Sequence, residues 1–316
     1  MTETSKGLLA MILACTIWGL SPIYYKELSH IPALEVMSHR IWWSLVFFVG
    51  VLALQSRLRE IIVALSSRLG RVRIVLAAAM IWVNWFLFIY AVQINRTTET
   101  SLGYFIYPLV AVFVGRFIFG ENLRNLQWLA VGLAALAVAM LTYGLGVAPW
   151  ISIVLAITFA IYTSIKKGLQ IGPVVSVTCE ILIVAPTAII VIVLAQSGGQ
   201  GGFGITWYDS LLLIISGPLT ALPLLLFSFA VKRITMATVG LLQYLNPTLQ
   251  FFCAVAVFGE PFGPWQGLTF PLIWMALAIF SLSAWSQARD ARKASVNAAG
   301  VGTTETYPAS ESSAKP

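Results

Sequence analysis

The stretch SLGYFIYPLVAVFVGRFIFGE, Ser101 to Glu121, aligns without a gap onto GLLQYLNPTLQFFCAVAVFGE, Gly240 to Glu260, at an offset of 139 residues. The register persists beyond this core. Phe88, Ala91 and Val92 fall on Phe227, Ala230 and Val231, and Gln127 falls on Gln266. From Asn84 to Gln127, 11 of 44 positions are identical, against roughly a tenth for shuffled apolar sequence. The chain is therefore read as a diverged duplication. Both copies lie in apolar segments long enough for a membrane, and each carries a proline near the middle of its segment, Pro108 and Pro247. Internal repeats with interrupted membrane helices are the pattern of secondary transporters.

Composition places the whole chain in the bilayer. Of 316 residues, 59% are apolar and only 10% charged, with a mean hydropathy of +0.88, whereas soluble domains carry about 25% charged residues. A span needs about 20 mostly apolar residues. Ten stretches qualify: 7–25, 33–54, 74–93, 100–119, 126–143, 148–166, 173–196, 209–231, 236–258 and 265–286. Each is expected to be helical, because an open strand edge has no hydrogen-bond partner in hydrocarbon. The expected fold is an all-α integral membrane protein with ten transmembrane helices. Residues 1–143 and 144–286 form two five-helix repeats. Residues 287–316, rich in Ala, Ser, Thr and Gly, read as a disordered tail. Between the second and third spans, Leu58, Ile61, Ile62, Leu65 and Leu69 recur at helical spacing among arginines, fitting either a short amphipathic helix on the membrane surface or a solvated loop.

The basic residues set the orientation. With the N-terminus inside, 15 of the 19 Lys and Arg fall in cytoplasmic segments, only Lys26 and Arg96 lie outside, and Arg40 and Arg116 lie within spans. Both termini are thus expected in the cytoplasm. An odd number of spans per repeat then inverts the second copy relative to the first. A cavity between the halves would lie near the midplane, served by alternating access. The charge of +7 is spread over six cytoplasmic segments and does not form a nucleic-acid-binding patch. Three scattered cysteines (Cys15, Cys179, Cys253) and two histidines (His30, His39) have no metal-ligand spacing, and no Ser/His/Asp constellation argues for an enzyme. No metal or cofactor is expected.

Candidate functional residues follow from the repeat. An interior proline frees the carbonyl four residues earlier, here those of Tyr104 and Gln243, a repeat pair. Polar and aromatic groups gather at that depth: Trp18, Asn84, Trp85, Tyr104, Tyr107, Gln243, Tyr244 and Asn246. Aromatic faces with amide donors suit a small organic, cationic or zwitterionic solute, although packing alone accounts for Trp18 and Trp85 equally well. Charges inside spans are costly and therefore candidate gate or coupling groups. His39, Arg40 and Glu180 qualify, with His39 or Glu180 able to exchange a proton. The competing reading is a structural salt bridge of Arg40 with Glu35 or Glu99. The Gly-Glu pairs 120–121 and 259–260 read as helix-end devices that receive the N-terminus of the next helix. Gly103 and Gly132 are expected to allow close helix approach.

The strings WGLSPIYYK, PALEVMSHR, NWFLFIYAV, SLGYFIYPL, FGEN, QWLAV, LLQYLNPTLQFF, FGEP and WMALAIF together resemble the RarD group of the EamA family, within the drug/metabolite transporter superfamily. The resemblance covers residues 7 to about 286. It implies ten helices in two inverted repeats, cytoplasmic termini, and export or exchange of a small metabolite or drug across the bacterial plasma (inner) membrane. The partners implied are a small-molecule substrate and the lipid bilayer, with proton coupling and homodimerisation left open. A passive facilitator or channel, or a non-transporting membrane scaffold, remains the alternative.

Overall fold

The computed structural model describes residues 2–119, 125–146, 148–199, 201–231, 233–234, 239 and 242–301. The described chain is helical: α1 (Glu3–Glu27), α2 (Ala33–Leu54), α3 (Arg59–Ser66), α4 (Arg68–Gln93), α5 (Thr97–Phe119), α6 (Asn125–Leu145), α7 (Trp150–Lys167), α8 (Pro173–Ser197), α9 (Trp207–Val231), α10 (Leu245–Phe252), which runs on as a π-helical turn over Cys253–Val257, and α11 (Pro264–Val301). Among the described residues, seven helices are long and apolar enough to cross a membrane: α1, α2, α4, α6, α8, α9 and the first part of α11. Trp150–Lys166 and Leu245–Val257 are shorter apolar helices.

The elements end where local chemistry requires. The Thr2 side chain caps α1 by accepting from Ser5 N, and Ser67 does the same for α4 through Gly70 N. α8 starts with Pro173, whose missing N–H costs nothing in a first turn. The π turn closes on Gly259, whose φ of +64° suits a residue without Cβ. Glu260 N there donates to Ala254 O at 2.9 Å, a six-residue closing bond that ends the helix.

Two differences from the sequence reading concern helix continuity. Pro108 lies inside the unbroken α5. Pro247 is the third residue of α10, after a turn at Tyr244 whose backbone keeps helical dihedrals (φ −67°, ψ −15°), so the proline occupies a first turn. The paired prolines therefore do not have the same effect. α11 continues to Val301, past the boundary placed at 286. The sequence Ala-Arg-Asp-Ala-Arg-Lys-Ala favours helix once a preceding span has nucleated it. Residues 302–316, together with Gly120, Glu121 and Arg124, lie outside the described residues.

The segment after α2 is a helix, α3, and not a loop. Its Ala64 is buried and its Ile61 and Leu65 pack on Leu52, Ile74 and Cys179, while Ile62 and Val63 stay exposed.

The principal core joins α1, α2, α4, α7, α8 and α9 through residues such as Leu28, Met37, Phe48, Ile89, Leu155 and Ile181. A second core joins α5, α6 and α11 around Leu109, Ala134, Leu141 and Phe270. The most extensive helix pairings are α2 with α8 and α9, α1 with α9 and α10, α4 with α7 and α8, α5 with α7 and α10, and α6 with α11. Gly103 makes the α5–α7 approach possible, since a Cβ there would meet Ser152 O at 2.9 Å; Gly19 does the same for α1 against Leu249 of α10. Gly132 has nothing within 4 Å, so its expected role in close packing is not what the fold uses.

Candidate functional site

Three of the sequence-derived residues come together. Asn84 of α4 is fully buried, donates from Nδ2 to Leu155 O (2.9 Å) and Thr158 Oγ1 (3.1 Å), and accepts at Oδ1 from the Tyr104 hydroxyl (2.9 Å). Each polar atom of the amide is thereby matched, as buried polar groups require. Tyr104 and Tyr107 both meet the edge or face of Phe159, at ring-centroid distances of 5.8 and 4.8 Å. The Tyr107 hydroxyl reaches Thr163 Oγ1 at 3.4 Å.

The ninth-span residues form a separate cluster against α5. The Pro247 carbonyl, which is not one of the two that the prolines were expected to free, accepts from Ser101 Oγ at 2.8 Å. Asn246 Oδ1 accepts from Gln250 Nε2 at 2.9 Å, and Gln250 Oε1 accepts from Thr100 Oγ1 at 3.2 Å. Tyr244 is half-buried against the second core. Gln243 is exposed, and Trp18 packs on Phe227 at 6.0 Å, so neither joins the Asn84–Tyr104 group.

The intramembrane charges separate into two environments. Glu180 of α8, 1% exposed, holds Lys166 Nζ at 2.6 Å on Oε1. The same oxygen accepts from Ser176 Oγ at 2.9 Å, and Oε2 accepts from the Tyr162 hydroxyl at 3.0 Å. This is a buried ion pair with its remaining lone pairs supplied, the arrangement that makes such a pair tolerable. His39 and Arg40 lie on α2 beside Glu35, all buried. Glu35 Oε1 accepts from Gly202 N at 2.7 Å and stands 4.0 Å from His39 Nε2. The His39 ring stacks on Phe203 at 5.1 Å. The suggested bridges from Arg40 to Glu35 or Glu99 do not form: Glu99 pairs with Arg96 in its own turn. Arg40 instead stands over the Trp85 ring at 4.2 Å and the Tyr25 ring at 5.6 Å.

The second Gly-Glu pair receives a helix N-terminus, but that of α5 in the opposite half of the sequence and not that of the next helix. Glu260 accepts from Thr97 N at 2.6 Å with Oε1, and from Thr98 N and Thr98 Oγ1, both at 2.7 Å, with Oε2. Its charge sits at the positive end of the helix dipole. A cavity of about 150 Å³ opens beside this cap, lined by Arg96, Thr98, Glu99, Glu260 and Gln266 among others. Solute pockets occupy about 300–1,000 Å³, so this one is no complete binding site. The first-half equivalent, Glu121, is outside the described residues.

Sequence reasoning missed Thr158, Tyr162, Lys166 and Ser176. Thr158 and Ser176 look like any small residue of an apolar run. Lys166 reads as an ordinary cytoplasmic flank. The one available signal was Tyr162 four residues before Lys166, on the same helix face. Among the described residues, no group of three or more His, Cys, Asp or Glu could hold a metal ion.

A multi-span helical membrane protein with buried polar clusters between its helices is the class this architecture defines. The family model of the EamA-like transporter family matches residues 5–143. An uncharacterized transporter of Vibrio cholerae is 36% identical over 293 residues, covering 92% of this chain and 97% of that protein. The RarD proteins of Salmonella typhi and Escherichia coli are 37% and 35% identical, each matching 89% of this chain. A solved crystal structure, 16% identical, superposes with a TM-score of 0.58 over 89% of this chain and 98% of that one, a likeness of fold. The chain belongs to the EamA-like transporter family, in its RarD group.

Proposed function

We propose that this protein is a secondary transporter that moves a small organic metabolite or drug across the bacterial plasma membrane. Two inverted five-helix halves rock about a central site, with both chain termini in the cytoplasm. The observation that carries the reading is a symmetry of packing. Exchanging the halves replaces α1 by α7, α2 by α8, α4 by α9, α5 by α10 and α6 by α11. The contacts α2–α8, α5–α10 and α6–α11 then map onto themselves. The contact α2–α9 maps onto α4–α8, α1–α9 onto α4–α7, and α5–α7 onto α1–α10. A chain whose most extensive helix pairings are equivalent between its halves can exchange their conformations at little cost, which is alternating access.

The proposed route runs past Asn84, Tyr104 and Tyr107 on one side and Tyr244 and Asn246 on the other, with Trp18 and Gln243 flanking it and Pro108 and Pro247 setting the helix paths. Gating and coupling fall to His39, Arg40 and Glu180. The test is counterflow in proteoliposomes against amino acids, nucleosides and chloramphenicol, with and without a proton gradient. Trans-stimulated flux of at least one solute is expected, lowered in Tyr104→Ala and Asn246→Ala variants that still insert normally. Flux that shows no trans-stimulation would indicate a passive facilitator instead, and no flux of any solute would overturn the reading.

A further inference from the structure

Arg40 is the odd charge of this molecule. It is 6% exposed, yet among the described residues it makes no ion pair, and its Nε has no hydrogen-bond partner. None of the buried carboxylates nearby in the fold pairs with it, although Glu35 Oε2 and Glu99 Oε2 have no hydrogen-bond partner of their own. Glu35 gives Oε1 to Gly202 N, Glu180 holds Lys166, and Glu99 holds Arg96. A guanidinium stays charged at any physiological pH, and a buried charge without a counter-ion is expensive in a membrane protein. The rings of Trp85 and Tyr25 offset part of that cost.

We propose that Arg40 is the anion-binding group of the substrate site, and that the transported solute is a small organic monoanion, a carboxylate on an apolar body. This inference rests on the transporter reading for the solute's route. A guanidinium lying over aromatic faces keeps its in-plane N–H groups free, and that fork matches a carboxylate bidentately. A run of packed aromatic rings makes the surroundings of the guanidinium apolar. Tyr25 meets Phe88 at 5.9 Å, Phe88 meets Tyr104 at 6.1 Å, and Tyr104 meets Phe159. Such surroundings favour an apolar body over a strongly hydrated inorganic ion. The cationic solute suggested by the aromatic residues is disfavoured for the same reason: the faces of Trp85 and Tyr25 already carry the Arg40 charge, which would repel a second cation.

The test is equilibrium binding to the full-length protein in detergent, read as ligand-induced thermal stabilisation, with benzoate and phenylacetate against their neutral amides and against benzyltrimethylammonium. The acids should stabilise the wild-type protein, and the amides and the ammonium should not. Arg40→Lys, which keeps the charge and loses the fork, should weaken acid binding about tenfold. Arg40→Gln should abolish the preference for acid over amide. Equal stabilisation by acid and amide, stabilisation by the ammonium, an acid preference retained in Arg40→Gln, or no acid binding up to about 10 mM would each overturn the proposal. The wild-type acid–amide comparison decides even if both variants fail to fold. Counterflow of a neutral or cationic solute would leave the transporter reading intact while removing this one.

Discussion

Replacing Glu260 by glutamine should loosen the junction between the two halves of the protein. The carboxylate lies 7% exposed and takes three hydrogen bonds from the first turn of α5, at 2.6, 2.7 and 2.7 Å. Bonds to a charged group contribute about 1.5–3 kcal/mol net, and neutral ones about 1 kcal/mol. In Glu260→Gln the amide oxygen can still accept from Thr97 N, and the amide nitrogen can donate to the Thr98 hydroxyl. Thr98 N–H is then left facing another donor. Charge assistance is lost throughout, along with about 0.3–1 kcal/mol of interaction with the helix dipole. The expected cost is about 2–3 kcal/mol, or a fall in Tm of roughly 5–10 °C at about 2–4 °C per kcal/mol. The assay is thermal unfolding of the purified full chain in detergent, with the exposed Glu60→Gln as a control that should shift by less than about 1 °C. Glu260→Asp, which keeps the charge but shortens the reach, should fall between. A Tm for Glu260→Gln indistinguishable from that of the Glu60→Gln control would refute the claim that this cap ties α5 to the opposite half.

Two further expectations concern the interior. Lys166→Met strands the Glu180 carboxylate without its cation and should cost about 3–5 kcal/mol, while Lys166→Met combined with Glu180→Gln should recover much of that loss; unfolding of the four proteins of this cycle checks it, and additive losses would show the pair to be uncoupled. Gly103→Val should sharply reduce folded yield in the membrane, because a Cβ there already meets Ser152 O at 2.9 Å, whereas Gly132→Val, with nothing within 4 Å, should express as the wild type; size-exclusion profiles of the two variants decide, and equal profiles would contradict the close α5–α7 approach.

The sequence by itself determined that the chain is an all-helical membrane protein of this family; it placed Asn84, Tyr104 and Tyr107 in one polar–aromatic group with Trp18, Trp85, Gln243, Tyr244 and Asn246, whereas Trp18, Gln243, Tyr244 and Asn246 lie apart from the Asn84–Tyr104 contact. Helicity and family are local properties or nearly so. About 20 apolar residues must satisfy their own backbone in hydrocarbon, and a family pattern is a string of residues. It marked Glu260 as a helix-end device, but the helix it receives was visible only in three dimensions.

Tertiary structure alone decided the fate of each buried charge. Glu180 meets Lys166 because α7 and α8 turn the two side chains toward each other with Tyr162 and Ser176. Arg40, on another apolar helix, stands over the rings of Trp85 and Tyr25 and pairs with no carboxylate among the described residues. The paired prolines are identical in sequence, yet one helix runs through Pro108 and another begins beside Pro247. Pairing and helix breaking depend on how neighbouring helices rotate and pack, and that rotation is set by many weak contacts between residues far apart in the chain.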